Sequence, residues 1–131
     1  AELARALGAE PVRTDRAGLP ATVQNCADAV IECSGDPAAP QTALRMAAPG
    51  GRVCLYSVYP GPSQVDLNQV AEFKELTLVG GHLAPGCFPE AVGLLSTVPA
   101  DLVVTAVRPL SDYSAALDEP TGPRVKEVLV P

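Results

Sequence analysis

The sequence has a single histidine, His82, and few basic residues, nine against fifteen acidic ones. One histidine excludes a metal site built on two histidines and a mechanism that needs separate histidine acid and base groups. The net charge of −6 provides no diffuse positive field for a phosphate backbone, which argues against nucleic acid as a partner. No stretch approaches the roughly 18 consecutive apolar residues of a membrane-spanning helix, so we expect no membrane partner and a soluble cytoplasmic protein.

The four cysteines lack the spacing of a metal site. Cys26, Cys33, Cys54 and Cys87 are 7, 21 and 33 residues apart, and no pair has the short gap of a zinc knuckle. We therefore expect no metal site. Three of them lie in or beside apolar runs, where cysteine behaves as a small buried hydrophobe, so we expect reduced thiols that pack in the core.

Several functional motifs are also missing. The sequence has no GxGxxG or GxxxxGK[ST] phosphate loop, no GxSxG nucleophile elbow and no HExxH zinc motif. It also contains no internal repeat and no low-complexity tract.

What is present is an alternation of apolar strand-like runs and helical patterns in 131 residues, 47% of them hydrophobic. That length suits one globular domain, and the alternation predicts an α/β fold with a parallel sheet. We expect strands at Ala9–Val12, Ala29–Cys33, Arg52–Val58, Val65–Leu67, Leu76–Val79, Leu102–Val107 and Val125–Val130, with Val65–Leu67 at a sheet edge. We expect helices at Ala1–Leu7, Gln41–Met46, Asn68–Phe73, Pro89–Ser96 and Ser111–Leu117, and a loop over Thr14–Asn25.

Ligands of open parallel sheets bind beyond the carboxyl ends of the strands, so the residues just after each strand are candidates for a site. Three such places are Cys33-Ser34-Gly35-Asp36, Ser57-Val58-Tyr59 and Gly81-His82-Leu83. Small residues there let a flat ligand approach the backbone, whose peptide groups can hydrogen-bond a carboxamide or a ribose. The alternative is that the glycines only permit tight turns. The residues alone indicate no more than a parallel-sheet domain with a nucleotide-sized ligand.

Other polar residues allow both a functional and a structural interpretation. His82 can transfer protons, but a lone histidine after a strand is more often a surface residue or a support for its neighbours. Glu32 could bind a ribose hydroxyl, or it could accept hydrogen bonds from nearby backbone. Arg124 and Lys126 flank the last strand and could meet a phosphate or be solvated surface residues.

Three segments carry a resemblance to a known family: ADAVIECSGDPAAPQTALRMAAPGGRVCLYSVY, FKELTLVGGHLAPGCFPEAVGLL and VKEVLVP. They resemble the cofactor domain of the medium-chain zinc-type alcohol dehydrogenases, and within that family the polyol and threonine dehydrogenase branch. The opening ELARALGAE is similar to the helix after the second strand of that domain. The resemblance implies hydride transfer between the nicotinamide of NAD or NADP and an alcohol or polyol substrate, whose oxygen a zinc ion polarises.

The resemblance also implies a set of cofactor-binding residues and a dimer edge. It places Cys33, Ser34 and Gly35 along the adenosine side, Ser57 and Val58 beside the nicotinamide, Gly81, His82 and Leu83 at the carboxamide, and Lys126, or Arg124 in a shifted register, near the pyrophosphate. Val65–Leu67 matches the edge strand through which many members dimerise, so we expect the full enzyme to be a homo-oligomer.

The family domain has the strand order 3-2-1-4-5-6, and its first two strands, its glycine fingerprint and the zinc-bearing catalytic domain would all precede Ala1. We therefore expect residues 1–131 to form a partial Rossmann-like parallel sheet with flanking helices, with a return segment from about residue 100. Catalytic residues and zinc ligands are expected only in the absent catalytic domain, so the segment alone should be inactive. The strand at Ala29–Cys33 would have an unpaired edge and make the isolated chain unstable or prone to association.

Two other functions stay open. DAVIECSG followed by a helix and PGGRVCL also suits a methyltransferase-like domain, and a non-catalytic nucleotide-binding module is the other candidate. The segment KELTLVGGHLAP distinguishes a dehydrogenase from a methyltransferase, because it has a counterpart in the dehydrogenases and none in the methyltransferases.

Overall fold

The computed structural model describes residues 1–13, 18–83, 85–118 and 125–131. In chain order the helices and strands are α1 (Glu2–Ala6), β1 (Ala27–Glu32), α2 (Ala39–Met46), β2 (Ala47–Leu55), β3 (Thr77–Gly80), α3 (Phe88–Leu94), β4 (Val104–Pro109), α4 (Tyr113–Asp118) and β5 (Lys126–Val130). A π-helical turn spans Gln69–Phe73, and 3-10 turns span Ala21–Val23, Ala100–Leu102 and Leu110–Asp112. Within these ranges, no helix has the length and apolar character needed to cross a membrane.

The chain forms two compact units. Arg13–Pro85 makes up the first, which we call the sheet unit, and Ala1–Val12 with Gly86–Pro131 makes up the second, the terminal unit. The sheet unit holds a three-stranded parallel sheet in the order β1-β2-β3. The terminal unit holds the parallel pair β4-β5. Parallel strands with flanking helices confirm the predicted α/β, Rossmann-like class.

In the sheet unit, helix α2 makes the crossover from β1 to β2. The helix begins at Ala39, so Pro40 lies in its first turn, where no helical hydrogen bond needs a proline N–H. Its Ala43 and Leu44 pack with Ala47, Val53 and Leu76 to form the buried core. Such a small core makes each buried contact a large share of the stability.

Strand β2 begins at Ala47 and not at the predicted Arg52, so it also includes residues 48–51. The pairing jumps from Ala27 opposite Ala47 to Ala29 opposite Arg52, so the extra residues form an irregular bulge. Glycine is required at position 51, because an added Cβ would lie 2.8 Å from the carbonyl oxygen of Ala48.

Lys74 ties the end of α2 to the segment before β3. It is buried, and its Nζ donates hydrogen bonds to the carbonyl oxygens of Leu44 at 2.6 Å, Ala47 at 2.9 Å and Arg45 at 3.2 Å. These carbonyls lie at the negative end of the helix dipole, where a cation is favoured. Burial lowers the pKa of the Lys74 ammonium because it removes water from the charged form.

The terminal unit is held at its strand pair by an ion pair as well as by the backbone. Arg108 on β4 donates from Nε to the carboxylate of Glu127 on β5. The side chains of β4 alternate between half-buried and exposed, which is the pattern of a strand with one covered face.

Two predicted strands are wrong. Ala9–Val12 is irregular and pairs with none of the described strands, because an extended segment without a partner forms no ladder. Val65–Leu67 is also irregular: the Asp66 N–H donates to Gln41 Oε1 at 2.7 Å, so a side chain of α2 takes a bond that a neighbouring strand would make.

The prediction that the cysteines pack in the core is also wrong. Cys26, Cys33 and Cys87 are exposed and Cys54 is only half-buried. Cys26 and Cys33 flank β1, which pairs with β2 alone among the described strands and leaves its outer edge open. That edge matches the expected unpaired edge, and Ile31 on the same strand is 69% exposed.

Candidate functional site

The turn after β1 is built around Glu32, the last residue of that strand. Glu32 is 5% exposed, and its Oε1 accepts hydrogen bonds from both the backbone N–H and the hydroxyl of Ser34, each at 2.6 Å. The Tyr59 hydroxyl donates to its other oxygen, Oε2. Both carboxylate oxygens are therefore engaged inside the protein, so the structure favours the structural interpretation of Glu32 over ribose binding.

Hydrogen bonds also set the charge of this carboxylate. Donation from Ser34 and then from Tyr59 stabilises the ionised form against the opposing effect of burial, and lowers the pKa of Glu32 from 4.5 to about 2. Burial and the adjacent carboxylate raise the pKa of Tyr59 to about 12. At neutral pH the pair is therefore a carboxylate anion that accepts from a neutral phenol.

The N–H groups of Ser34, Gly35 and Asp36 in the turn after β1 are used within the protein. Besides Ser34, the Gly35 N–H donates to Ser57 Oγ at 3.0 Å, and the Asp36 N–H donates to Ser34 Oγ at 3.2 Å. These three N–H groups are therefore not free to donate to a ligand at this turn.

The end of β2 is joined to the same turn. The Ser57 hydroxyl accepts from Gly35 and donates to the Glu32 carbonyl oxygen at 3.3 Å, and the Tyr56 N–H donates to that carbonyl at 3.0 Å. Gly35 has φ +75°, and an added Cβ would lie 3.1 Å from the Val58 carbonyl oxygen. Glycine at position 35 is thus required both by its left-handed backbone and by the close approach of the two turns.

Between the two turns lies an open groove of about 470 Å³. Its walls are formed by Cys33, Ser34, Gly35, Tyr56, Ser57 and Val58. The Val58 side chain is 93% exposed, and within the described part of the chain its N–H has no hydrogen-bond partner. All six lining residues are uncharged at their side chains or carry only a thiol, a phenol or a hydroxyl, and no basic residue lines the groove.

The third predicted segment follows β3 at the same edge of the sheet. The Gly81 N–H donates to the Leu55 carbonyl oxygen at 3.0 Å, which continues the β2-β3 pairing by one residue. A Cβ on Gly81 would lie 2.4 Å from Cδ2 of Tyr56, so this ring occupies the space above the glycine. His82 and Leu83 are exposed, and Leu83 adopts φ +50°.

The structure therefore brings together Cys33, Ser34, Gly35, Ser57 and Val58, with Gly81 against Tyr56 beside them. Lys126 is exposed at the start of β5 in the terminal unit. Arg124, the alternative basic residue, lies outside the described residues, as does the Glu119–Arg124 stretch.

Two side chains of this region were missed by reasoning from the sequence. Tyr59 was named only as the last residue of the Ser57-Val58-Tyr59 segment, with no partner or role, although its hydroxyl binds a carboxylate 27 residues earlier. Tyr56 was treated only as part of a strand, although it packs on Gly81. Neither contact follows a local spacing rule, but aromatic residues at a strand's carboxyl end were a signal that could have been used.

Among the residues that the structure describes, no three His, Cys, Asp or Glu side chains lie close enough to hold a metal ion. The single histidine is exposed, and the exposed cysteines are far apart in sequence. Nothing in the described ranges therefore fits a zinc site.

Known proteins with similar sequences show which family this chain is related to. Residues 1–97 match the family model described as zinc-binding dehydrogenase. Erythritol/L-threitol dehydrogenase of Mycolicibacterium smegmatis is 32% identical over 94 residues, which cover 70% of this chain and 26% of that protein. L-threonine 3-dehydrogenase of Pyrococcus horikoshii is 36% identical over 85 residues, 60% of this chain and 24% of that protein.

The fold has solved counterparts as well. A zinc-binding dehydrogenase from Sinorhizobium meliloti bound to NADP superposes with a TM-score of 0.70 at 21% identity, covering 91% of this chain and 35% of the other. The likeness confirms the Rossmann-like fold. Together with the family match, it decides against the methyltransferase-like alternative.

Proposed function

Because the chain belongs to the zinc-binding dehydrogenase family, we propose that it is part of the NAD(P)-binding domain of an alcohol or polyol dehydrogenase. The chain spans about a quarter of the length of the two relatives described above. Hydride transfer is therefore proposed for the whole protein. When bound, the nicotinamide supplies the hydride chemistry, and the residues of this chain hold and orient the dinucleotide.

The observation that carries this proposal is the polarity of the groove between the β1 and β2 turns. A ribose or a carboxamide is uncharged and has both hydrogen-bond donors and acceptors, and the groove is lined by polar uncharged residues that include Ser34, Tyr56 and Ser57. No basic residue lines it, and the buried Glu32 carboxylate lies beneath its β1 wall. The groove therefore suits the uncharged parts of a dinucleotide rather than its phosphates.

We assign the cofactor contacts accordingly. Cys33, Ser34 and Gly35 form one wall, Ser57 and Val58 form the other, and Gly81, His82 and Leu83 supply backbone at the end of β3. Lys126, which lies in the terminal unit, is assigned to the pyrophosphate because it matches the basic residue that the family has there. The described residues do not fit zinc, so no zinc-dependent step is assigned to this chain.

The substrate class and the compartment complete the proposal. The related erythritol/L-threitol enzyme favours a small alcohol or polyol as substrate. The four cysteines are free thiols, which favours a reducing compartment, and we assign the protein to the cytoplasm.

Cysteine alkylation provides a direct test of the site. Cys33 lines the groove and Cys26 does not, yet both are exposed in the sheet unit. The chain is treated with iodoacetamide at increasing NADH or NADPH, and the modification rate of each cysteine is followed by mass spectrometry. We expect weak binding, because the sequence has no glycine-rich phosphate loop, so cofactor concentrations reach the millimolar range.

The expected result is slower alkylation of Cys33 with an unchanged rate at Cys26. Replacing the exposed Val58 with tryptophan should fill the groove and abolish the protection, whereas Leu67→Trp, at another exposed position, should leave it intact. If the cofactor changed the alkylation rate of neither Cys33 nor Cys26, the assignment of the groove would be refuted. The difference between NADH and NADPH would give the cofactor preference.

A further inference from the structure

Tyr59 follows β2, outside the residues to which cofactor contacts are assigned. It is half-buried, and its hydroxyl donates a hydrogen bond to Oε2 of Glu32. The contact joins two residues that are 27 positions apart in the sequence. Tyr59 therefore links the segment after β2 to the last residue of β1.

The same carboxylate holds the opposite wall of the groove. Its Oε1 accepts from the N–H and the hydroxyl of Ser34, and the Ser34 hydroxyl in turn accepts from the N–H of Asp36. A shift of the carboxylate would therefore move the Cys33–Asp36 turn. The Tyr59 hydroxyl fixes the carboxylate from the β2 side, so the two walls are joined through one buried group.

We propose that Tyr59 is a positioning residue that fixes the width of the cofactor groove by holding Glu32, and through Glu32 the Ser34 turn, in place. This inference rests on the proposed cofactor-binding function. Ser57 joins the same walls through Gly35, and its hydroxyl also helps to stabilise the ionised Glu32 carboxylate. The direct hydrogen bond to Oε2 comes from the phenol hydroxyl.

The need for the hydroxyl follows from the burial of Glu32. At 5% exposure, an ionised carboxylate oxygen without a donor is costly, so it would rotate or recruit water. Either change would weaken the bonds to Ser34 and loosen the wall. A phenylalanine at position 59 preserves the ring and removes the hydroxyl that donates this bond.

The experiment compares the chain with Tyr59→Phe and with the matched control Tyr113→Phe. Tyr113 is exposed at the start of α4 in the terminal unit. Cofactor affinity is measured from the NADH concentration that halves Cys33 alkylation, and the amide signals of Ser34 and Gly35 are followed by ¹⁵N NMR. We expect Tyr59→Phe to weaken NADH binding roughly tenfold, the low end of the range for loss of a bond to a charged group, and to shift both amide signals. Tyr113→Phe should change neither.

Glu32→Gln serves as the conservative variant. Its amide oxygen can still accept from Ser34, and its NH₂ can donate to the phenol oxygen, so the walls stay joined without the charge. We expect this variant to retain most of the affinity that Tyr59→Phe loses. In the ultraviolet titration of the phenols, one of the three tyrosines should ionise near pH 12 in the original chain and at a lower pH in Glu32→Gln.

The outcomes separate the two hypotheses. If NADH protects Cys33 equally well in the original chain and in folded Tyr59→Phe, the positioning role is refuted and the cofactor function stands. If NADH protects neither chain, both are refuted. If Tyr59→Phe does not fold, the phenol titration of the original chain is the deciding measurement. If no tyrosine of the original chain ionises near pH 12, the hydrogen bond between Tyr59 and Glu32 is refuted, and the inference with it.

Discussion

Acid should destabilise this chain through one identifiable carboxylate, Glu32. Its side chain is buried at the end of β1 and accepts from Ser34 and Tyr59. These donors keep the carboxylate ionised in the folded state, with the pKa lowered from 4.5 to about 2. In the unfolded chain the donors are lost and the ordinary pKa returns.

The sign and size of the effect follow from proton binding. Between pH 4.5 and about 2 the unfolded chain takes up a proton that folded Glu32 does not, so the free energy of unfolding falls as the pH falls. The contribution is complete above about pH 5 and is lost below about pH 2. The change in pKa corresponds to about 3 kcal/mol, of which roughly 2 kcal/mol is lost between pH 7 and pH 3.

Urea denaturation at pH 7 and pH 3, followed by circular dichroism, measures this contribution. Glu32→Gln has no proton to gain, so its loss of stability over that interval should be about 2 kcal/mol smaller than that of the original chain. The exposed Glu72→Gln is the matched control and should lose as much as the original chain. Carboxyl ¹³C NMR provides the pKa directly; a Glu32 signal that titrates near pH 4.5, with parallel losses in all three chains, would refute the reasoning.

Two further predictions concern the core of the sheet unit. Lys74→Met should lower the free energy of unfolding by about 3 kcal/mol, because three carbonyls at the end of α2 lose their buried donor. The control Lys126→Met, at an exposed position, should change the free energy of unfolding little. Equal urea midpoints for the two variants would contradict the capping role of Lys74. Gly51→Ala should destabilise by roughly 2 to 4 kcal/mol, since its Cβ meets three backbone oxygens within 3.2 Å. In Gly61→Ala the added Cβ has no atom within 4 Å, so this variant should be neutral or stabilised by about 0.5 kcal/mol. Similar melting temperatures for the two glycine variants would show that the bulge at Gly51 adjusts to the added Cβ.

Much of the fold could be predicted because its signals are local. Patterns of only a few residues predicted three elements: the apolar runs of β1 and β3, and the proline near the start of α2. The resemblance and the predicted parallel sheet agreed with the family that the comparisons found. The predicted strand at Val65–Leu67 was wrong because a side chain of α2, distant in sequence, binds its backbone.

The candidate site divides in the same way. Its position at the carboxyl ends of β1, β2 and β3 follows from the rule for parallel sheets and was available from the sequence. Its hydrogen bonds were available only in part: the Ser34 N–H bonds to Glu32 two residues earlier, whereas the Gly35 N–H is taken by Ser57, 22 residues later, only when the strands pair. The prediction that the cysteines are buried was wrong for a related reason. Apolar neighbours in the sequence do not ensure burial in three dimensions, and Cys33 lies at the open edge of the sheet.

The sequence by itself determined the α/β class, the family and the three strand ends where a ligand can approach, because periodicity, turn residues and motifs are properties of short segments. Only the tertiary structure decided which polar groups remain for a ligand. It made Tyr59 a donor to the buried Glu32 carboxylate and Lys74 a helix cap, through partners 27 to 30 residues away. Hydrogen bonds between distant segments depend on how the strands and helices pack, and no local pattern encodes that packing.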